Sequence, residues 1–315
     1  MFLDNLQVFH GLPAFEFAEA EPGAALPPAA SVAWRIRAEL YGAETTWAEE
    51  FARFAEAVDL SQVRALIVGM WNDAYESGPD EVIETLAAAR DQLTALRAVF
   101  IGDIVGDECE VSWIHQTQVS PLLDAFPLLE EFAVRGGAEL EFAPVEHASL
   151  RALTVQAGGL DASVVRGIGA STLPALERLD LYLGTENYGA TVRLDDLAPF
   201  LSGERFPALR HLAPRNSELQ DEIAVACASA PVVARLETLD LSLGTLGDVG
   251  AEALLAGQPL THLKTLDLSH HYISEPLQER LMSQLGGAGV AVNLDVAGAD
   301  EEGEDEDFRY VAVSE

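Results

Sequence analysis

Four aspartates recur at one place in a repeated phrase: Asp180 in L-D-L-Y-L, Asp240 and Asp267 in L-D-L-S, and Asp295 in L-D-V. If these phrases are neighbouring strands of one sheet, matching side chains stand about 4.8 Å apart. The column would then run Asp180, Ala213, Asp240, Asp267, Asp295, and the last three would form a carboxylate ridge. Like charges at that spacing raise one another's pKa or attract a cation. His270-His271 follows the second L-D-L-S, and His211 falls on the same strand face two repeats earlier. Carboxylates beside histidines invite a divalent-metal reading. Adjacent residues of an extended chain point in opposite directions, however, and no third ligand at fixed spacing completes a zinc site. The alternative is that an aspartate in L-D-L orients its turn or stays solvated. No metal and no cofactor is assigned.

Other catalytic signatures are missing. No serine stands in a G-x-S-x-G elbow, and there is neither a G-x-G-x-x-G fingerprint nor a phosphate loop. What the phrase does supply is a face. Side chains alternate along a strand, so the residues between and after the apolar positions leave the core. The candidate binding residues are Ile67, Phe100, Arg135, Arg178, Asp180, Tyr182, His211, Arg215, Asp240, Asp267 and Asp295. Ile67 and Phe100, with Trp71 and Trp113 in the loops beyond them, make one end apolar, and exposed aromatics there would suit the dry centre of a protein interface. The competing expectation is that residues 1–30 fold back and bury them.

The elements that position these residues follow from an apolar skeleton L-x-x-L-x-L. It appears at Leu236/Leu239/Leu241 and again 27 residues later at Leu263/Leu266/Leu268. The same skeleton is traced at Val63, Leu96, Leu129, Leu150, Leu176 and Leu209, and in degenerate form at Ala291/Leu294/Val296. Such a period predicts stacked coils, each a strand with a helical return leg. Helical spacing is clear in Trp47, Phe51, Phe54 and Val58 after the cap Thr45-Thr46, and in Val82, Leu86 and Ala89. The 21 residues from Leu129 to Leu150 leave no room for a full helix, and Pro214 should disturb its strand because it lacks a donor. Val32, Trp34 and Ile36 alternate as a strand that would cap the first coil. The expected division is a capping segment over 1–60, repeats over 61–299, and an acidic tail with a strand-like end over 300–315.

Composition bounds the function. With 18 Lys and Arg against 52 Asp and Glu, the net charge is −34. A field of that sign repels phosphate backbones and anionic lipid, so nucleic acid and membrane surfaces are set aside as partners, and a basic protein fits the sign. Asp300 to Asp307 carries seven of the carboxylates and should remain solvated. The two cysteines, Cys109 and Cys227, lie far apart in sequence and outside any paired motif, which favours a reducing compartment. No leader or spanning segment is read, and a cytoplasmic location is expected.

The phrase L-x-x-L-x-L-D-L-S, with legs such as D-V-G-A-E-A-L-L-A-G, resembles the leucine-rich repeats of the ribonuclease-inhibitor type. The opening H-G-L-P-A-F-E-F, the strand A-W-R-I and the closing R-Y-V-A-V-S-E resemble an uncharacterised group of bacterial leucine-rich repeat proteins. The resemblance implies an α/β solenoid, a curved horseshoe with a parallel sheet on its concave face and helices on the convex one. It also implies a surface that binds other proteins, and it lends no catalytic residue. The leading function is therefore a protein-binding scaffold using the concave strand face. The alternative is an enzyme or enzyme accessory with a divalent ion held by the carboxylates and histidines.

Overall fold

The computed structural model describes residue 2 and residues 4–17, 25–38, 45–296, 299 and 309–315. The acidic run over 300–307 lies outside the described residues. Each apolar phrase becomes a strand, and twelve strands hydrogen-bond one another strictly in chain order. They are β1 (Val8–Phe9), β2 (Leu12–Glu16), β3 (Ala33–Ile36), β4 (Ala65–Val68), β5 (Ala98–Ile101), β6 (Glu131–Arg135), β7 (Ala152–Gln156), β8 (Arg178–Gly184), β9 (His211–Ser217), β10 (Thr238–Asp240), β11 (Thr265–Asp267) and β12 (Ala291–Asn293). The pair β1–β2 is antiparallel, and every later pair is parallel. Eight helices among the described residues flank the sheet: α1 (Trp47–Ala57), α2 (Asp80–Ala88), α3 (Ser120–Ala125), α4 (Ala162–Ala170), α5 (Ala198–Leu201), α6 (Gln220–Cys227), α7 (Asp248–Ala256) and α8 (Glu275–Gln284). No helix among the described residues is long and apolar enough to cross a membrane. The result is a repeat-like α/β solenoid.

The register follows the skeleton. Leu66, Val99, Phe132, Leu153, Leu179, Leu212, Leu239 and Leu266 pair in succession across eight strands. These side chains and the inner faces of the helices, such as Val82, Leu86, Ile168 and Leu254, form one continuous core. Helix α1 begins as its sequence requires, with a reciprocal cap between Thr46 and Glu49. Between β6 and β7 the short interval is spanned by extended chain, which makes the isolated parallel bridges Gln118↔Glu141 and Glu146↔Thr172. Pro214 disturbs one side only. It keeps its place opposite Leu181 in β8, whereas the pairing of β9 with β10 ends at Leu212.

Two expectations need correction. The cap of the first coil is not β3 but the β1–β2 hairpin beyond it, which pairs Phe15 with Trp34. Its two-residue turn, His10-Gly11, has φ of 51° and 70°, the left-handed pair that matches the twist of a tight hairpin. The last strand is also displaced. Val292, not Leu294, stands opposite Leu266, a slip of two residues that leaves every side chain on its expected face.

Candidate functional site

The aspartate column forms only in part. Asp240 and Asp267 are in register, but Asp267 faces Asn293 and not Asp295, so the ridge of three is corrected to a pair. Both members are committed to their own turns. The Oδ1 of Asp240 accepts from the Ser242 amide at 3.0 Å and hydroxyl at 2.6 Å, and that of Asp267 accepts from Ser269 at 2.9 and 2.7 Å. The L-D-L-S phrase thus encodes a side-chain-capped turn. Asp267→Ala should cost about 1 kcal/mol, the ordinary worth of such bonds. Urea denaturation checks this, and an unchanged midpoint would show the turn to be held by other means.

Arg215 supplies the countercharge to the column. Its guanidinium meets Asp180 in a two-pronged contact of 2.9 and 2.7 Å and reaches Asp240 at 3.1 Å. Burial pushes both carboxyls above the usual range, and Arg215 opposes that push. The same guanidinium lies 4.5 Å from the centre of the Tyr182 ring, and burial raises the Tyr182 phenol to about 12.

His211 stands between Arg178 of β8 and Thr238 of β10. Burial first, and then the Arg178 and Arg215 charges, lower its pKa to about 4 against the pull of Asp240. Its unfolded value is near 6.5, so between about 4 and 6.5 the unfolded chain takes up a proton that the native imidazole refuses. The stabilising contribution is complete above 6.5 and lost as pH falls towards 4. Urea unfolding at pH 7 and 4.5 should show a larger loss for the parent than for His211→Gln; equal losses would mean that His211 titrates normally.

The apolar end is covered. Ile67 and Phe100 are 0% and 3% exposed, so the expectation of exposed aromatics there is corrected in favour of the fold-back. Phe9, Leu6, Leu12 and Ala14 pack on Ile67, Phe100 and the alanines beside them, with the Phe9 and Phe100 rings edge to face at 5.8 Å. Trp71 is buried too, and Trp113 alone of that pair is exposed, 5.0 Å from the Tyr75 ring. Ionic groups fix the segment in place. Asp103, with a fully buried side chain, accepts from Arg35 at 2.8 Å and from the Leu6 amide at 3.2 Å, and Arg135 approaches it at 3.5 Å. Arg135 also lies 4.0 Å over the Phe2 ring. Burial lowers its pKa, while Asp103 acts to raise it. This residue is therefore a clamp and not an open contact.

The C-terminal segment is a second cover. It crosses the loops that leave the strands: Tyr310 O meets His270 Nε2 at 3.0 Å, Ala312 N–H donates to Leu243 O at 2.8 Å, and Asn216 bonds both backbone groups of Val313. Val313, Phe2, Val111 and Tyr182 form a small apolar cluster, so both ends of the chain meet over Tyr182. The histidine pair is absorbed in the same way. The Nε2 atoms of His270 and His271 lie against the backbone carbonyls of Tyr310 and Leu294, and both side chains are buried. Among the described residues no group of three or more His, Cys, Asp or Glu could hold a metal ion.

What stays open is a groove between these covers. One hollow of about 590 Å³ runs from Leu6, Val8 and His10 over Glu131, Thr154, Gln156, Arg178 and Asp180. A second, of about 360 Å³, shares Glu131 and Arg178 and continues past Arg210 and His211 to Glu237 and Thr238. Arg178, Asp180 and His211 of the sequence candidates line it, and Phe100 forms part of its floor. Tyr182, Arg215, Asp240, Asp267 and Asp295 lie outside its lining, and Arg215 bears on it through Asp180. Sequence reasoning missed His10, whose Nδ1 meets Glu131 at 3.0 Å; the H-G turn between V-F and L-P-A-F was the available signal. No family model matches the chain, and no curated protein matches it. Over 86% of its length the chain is similar, at 28% identity and a TM-score of 0.75, to the crystal structure of a protein from Bacteroides fragilis, of which the match covers 74%.

Proposed function

We propose that the chain is a leucine-rich repeat solenoid of the ribonuclease-inhibitor-like type, curved as a horseshoe, that works as a protein-binding scaffold through its strand face. The recurrent skeleton and the sequential parallel sheet support the repeat identity. The observation that carries the function is the polar groove left uncovered between the two terminal segments, a pre-formed hollow built on rigid strands. We place residues 1–60 as the cap, 61–299 as the repeats and 300–315 as the acidic tail and closing segment. The partner is a protein with a basic surface: a net charge of −34 accelerates its approach and disfavours nucleic acid and anionic membrane. Two free cysteines fit a reducing, cytoplasmic setting. The test is capture of partners from native lysate at low and high salt by the parent and by Thr154→Trp, which fills the groove. The reading requires one partner retained by the parent, released by salt and lost in the variant. Equal recovery by both proteins would refute it.

A further inference from the structure

The carboxylates lining the groove already have donors. Glu131 is met by His10 at 3.0 Å, Asp180 by Arg215 at 2.9 and 2.7 Å, Glu237 by Lys264 at 2.7 Å, and Glu177 by Arg151. What stands without a partner is a donor. Arg178 lines both hollows and is exposed, and its guanidinium makes no hydrogen bond or ion pair among the described residues. Arg210 uses one nitrogen, on Leu209 O at 2.8 Å and Pro207 O at 3.4 Å, which leaves the rest of its guanidinium available. Gln156 has its oxygen occupied by Arg135 Nε at 2.9 Å, so its NH₂ group is the end left for a ligand. A surface whose carboxylates each hold a donor, and whose unpartnered group is a guanidinium, selects a negatively charged acceptor.

From this we propose that Arg178, flanked by Arg210 and Gln156, is the anchoring subsite for a carboxylate carried on an extended segment of the protein partner. This rests on the scaffold reading above and adds what the groove recognises. The groove spans five strand spacings, from Phe100 on β5 to Thr238 on β10, or about 24 Å. That length takes roughly seven extended residues. The negative charge of the chain does not forbid such an anchor. Exposed charges beyond about 8 Å are largely screened at physiological salt, whereas Arg178 would touch the carboxylate directly. Attraction of a basic partner, strongest at low salt, and selection of an acidic residue at direct contact within its docked segment are therefore compatible.

The probe is a random dodecapeptide library displayed on phage and selected against the full chain, with selected peptides then synthesised. Peptides that require the groove lose binding to Thr154→Trp. The subsite predicts that these share an Asp or Glu, that changing it to Asn or Gln weakens binding about tenfold, and that Arg178→Ala weakens the acidic peptide as much without further weakening its neutral form. Amidated and free-acid versions separate a side-chain carboxylate from a C-terminal one: loss on amidation assigns the anchor to the terminus, and no change assigns it to the side chain. Groove-dependent peptides that lack a carboxylate or ignore Arg178→Ala would overturn the subsite and leave the scaffold standing. Selected peptides indifferent to Thr154→Trp, or no groove-dependent peptide at all, would overturn both.

Discussion

Asp103→Ala is expected to destabilise the protein by about 3–5 kcal/mol and to release the N-terminal segment from the sheet. The side chain of Asp103 is 0% exposed and those of its partners Arg35 and Arg135 only 8% and 2%. Removing this carboxylate leaves the buried Arg135 without its countercharge and Arg35 with only Glu16, at 3.9 Å, and a broken buried pair of this kind costs several kcal/mol because the remaining charge stays desolvated. The Leu6 amide loses its acceptor at the same stroke. Asp103→Asn keeps an oxygen for Leu6 but not the charge, so it should fall between the two. Urea unfolding measures the loss, and limited proteolysis around Val8 reads the release. A variant within about 1 kcal/mol of the parent, with Val8 still protected, would show that the apolar contacts of Phe9 alone hold the cover.

The solenoid was legible because its signal is local and repeated. Eight of the skeletons pair as their sequence predicts, from Leu66 through Leu266, since each strand must bury the same alternate positions against the same kind of helix. The ninth shows the limit of that logic. A shift of one residue would have turned every side chain to the wrong face, but a shift of two keeps the alternation, so Leu294 and Val292 satisfy the pattern equally and only the structure distinguishes them. The ridge of three aspartates failed for that reason.

The site was less legible because it is made by segments outside the repeat. The exposure of Ile67 and Phe100 depends on residues 53 to 94 positions away in sequence, from Ala14 to Ile67 and from Leu6 to Phe100, which no periodicity constrains. Arg178, Asp180 and His211 were found because they lie on the strands, and His10 was not because it lies on the cover. Charge behaves likewise. Net charge describes the field at a distance, while the local pairing of Asp180 with Arg215 and Glu237 with Lys264 decides what the groove has left to offer.

Asn216→Ala should cost roughly 3 kcal/mol and detach the C-terminal segment. Asn216 is 0% exposed and sits at φ 52°, a left-handed conformation that asparagine tolerates better than most residues. Its side chain acts as a strand neighbour would: Nδ2 donates to Val313 O at 2.6 Å, and Oδ1 accepts from Val313 N–H at 2.9 Å. Alanine removes both partners from a buried peptide group, each worth about 1–3 kcal/mol when left unsatisfied, and adds the penalty of a Cβ in the left-handed region. Asn216→Gly separates these contributions, because it relieves the backbone and still orphans Val313; it should be the milder variant by about 1 kcal/mol. Carboxypeptidase digestion reads the detachment directly, with Val313 and Val311 protected in the parent and cleaved in both variants. If digestion stops at the same residue in all three proteins and Asn216→Ala unfolds within about 0.5 kcal/mol of the parent, the segment is held by Val313 packing on Tyr182 and by Tyr310 on His270, and the asparagine bridge contributes nothing measurable.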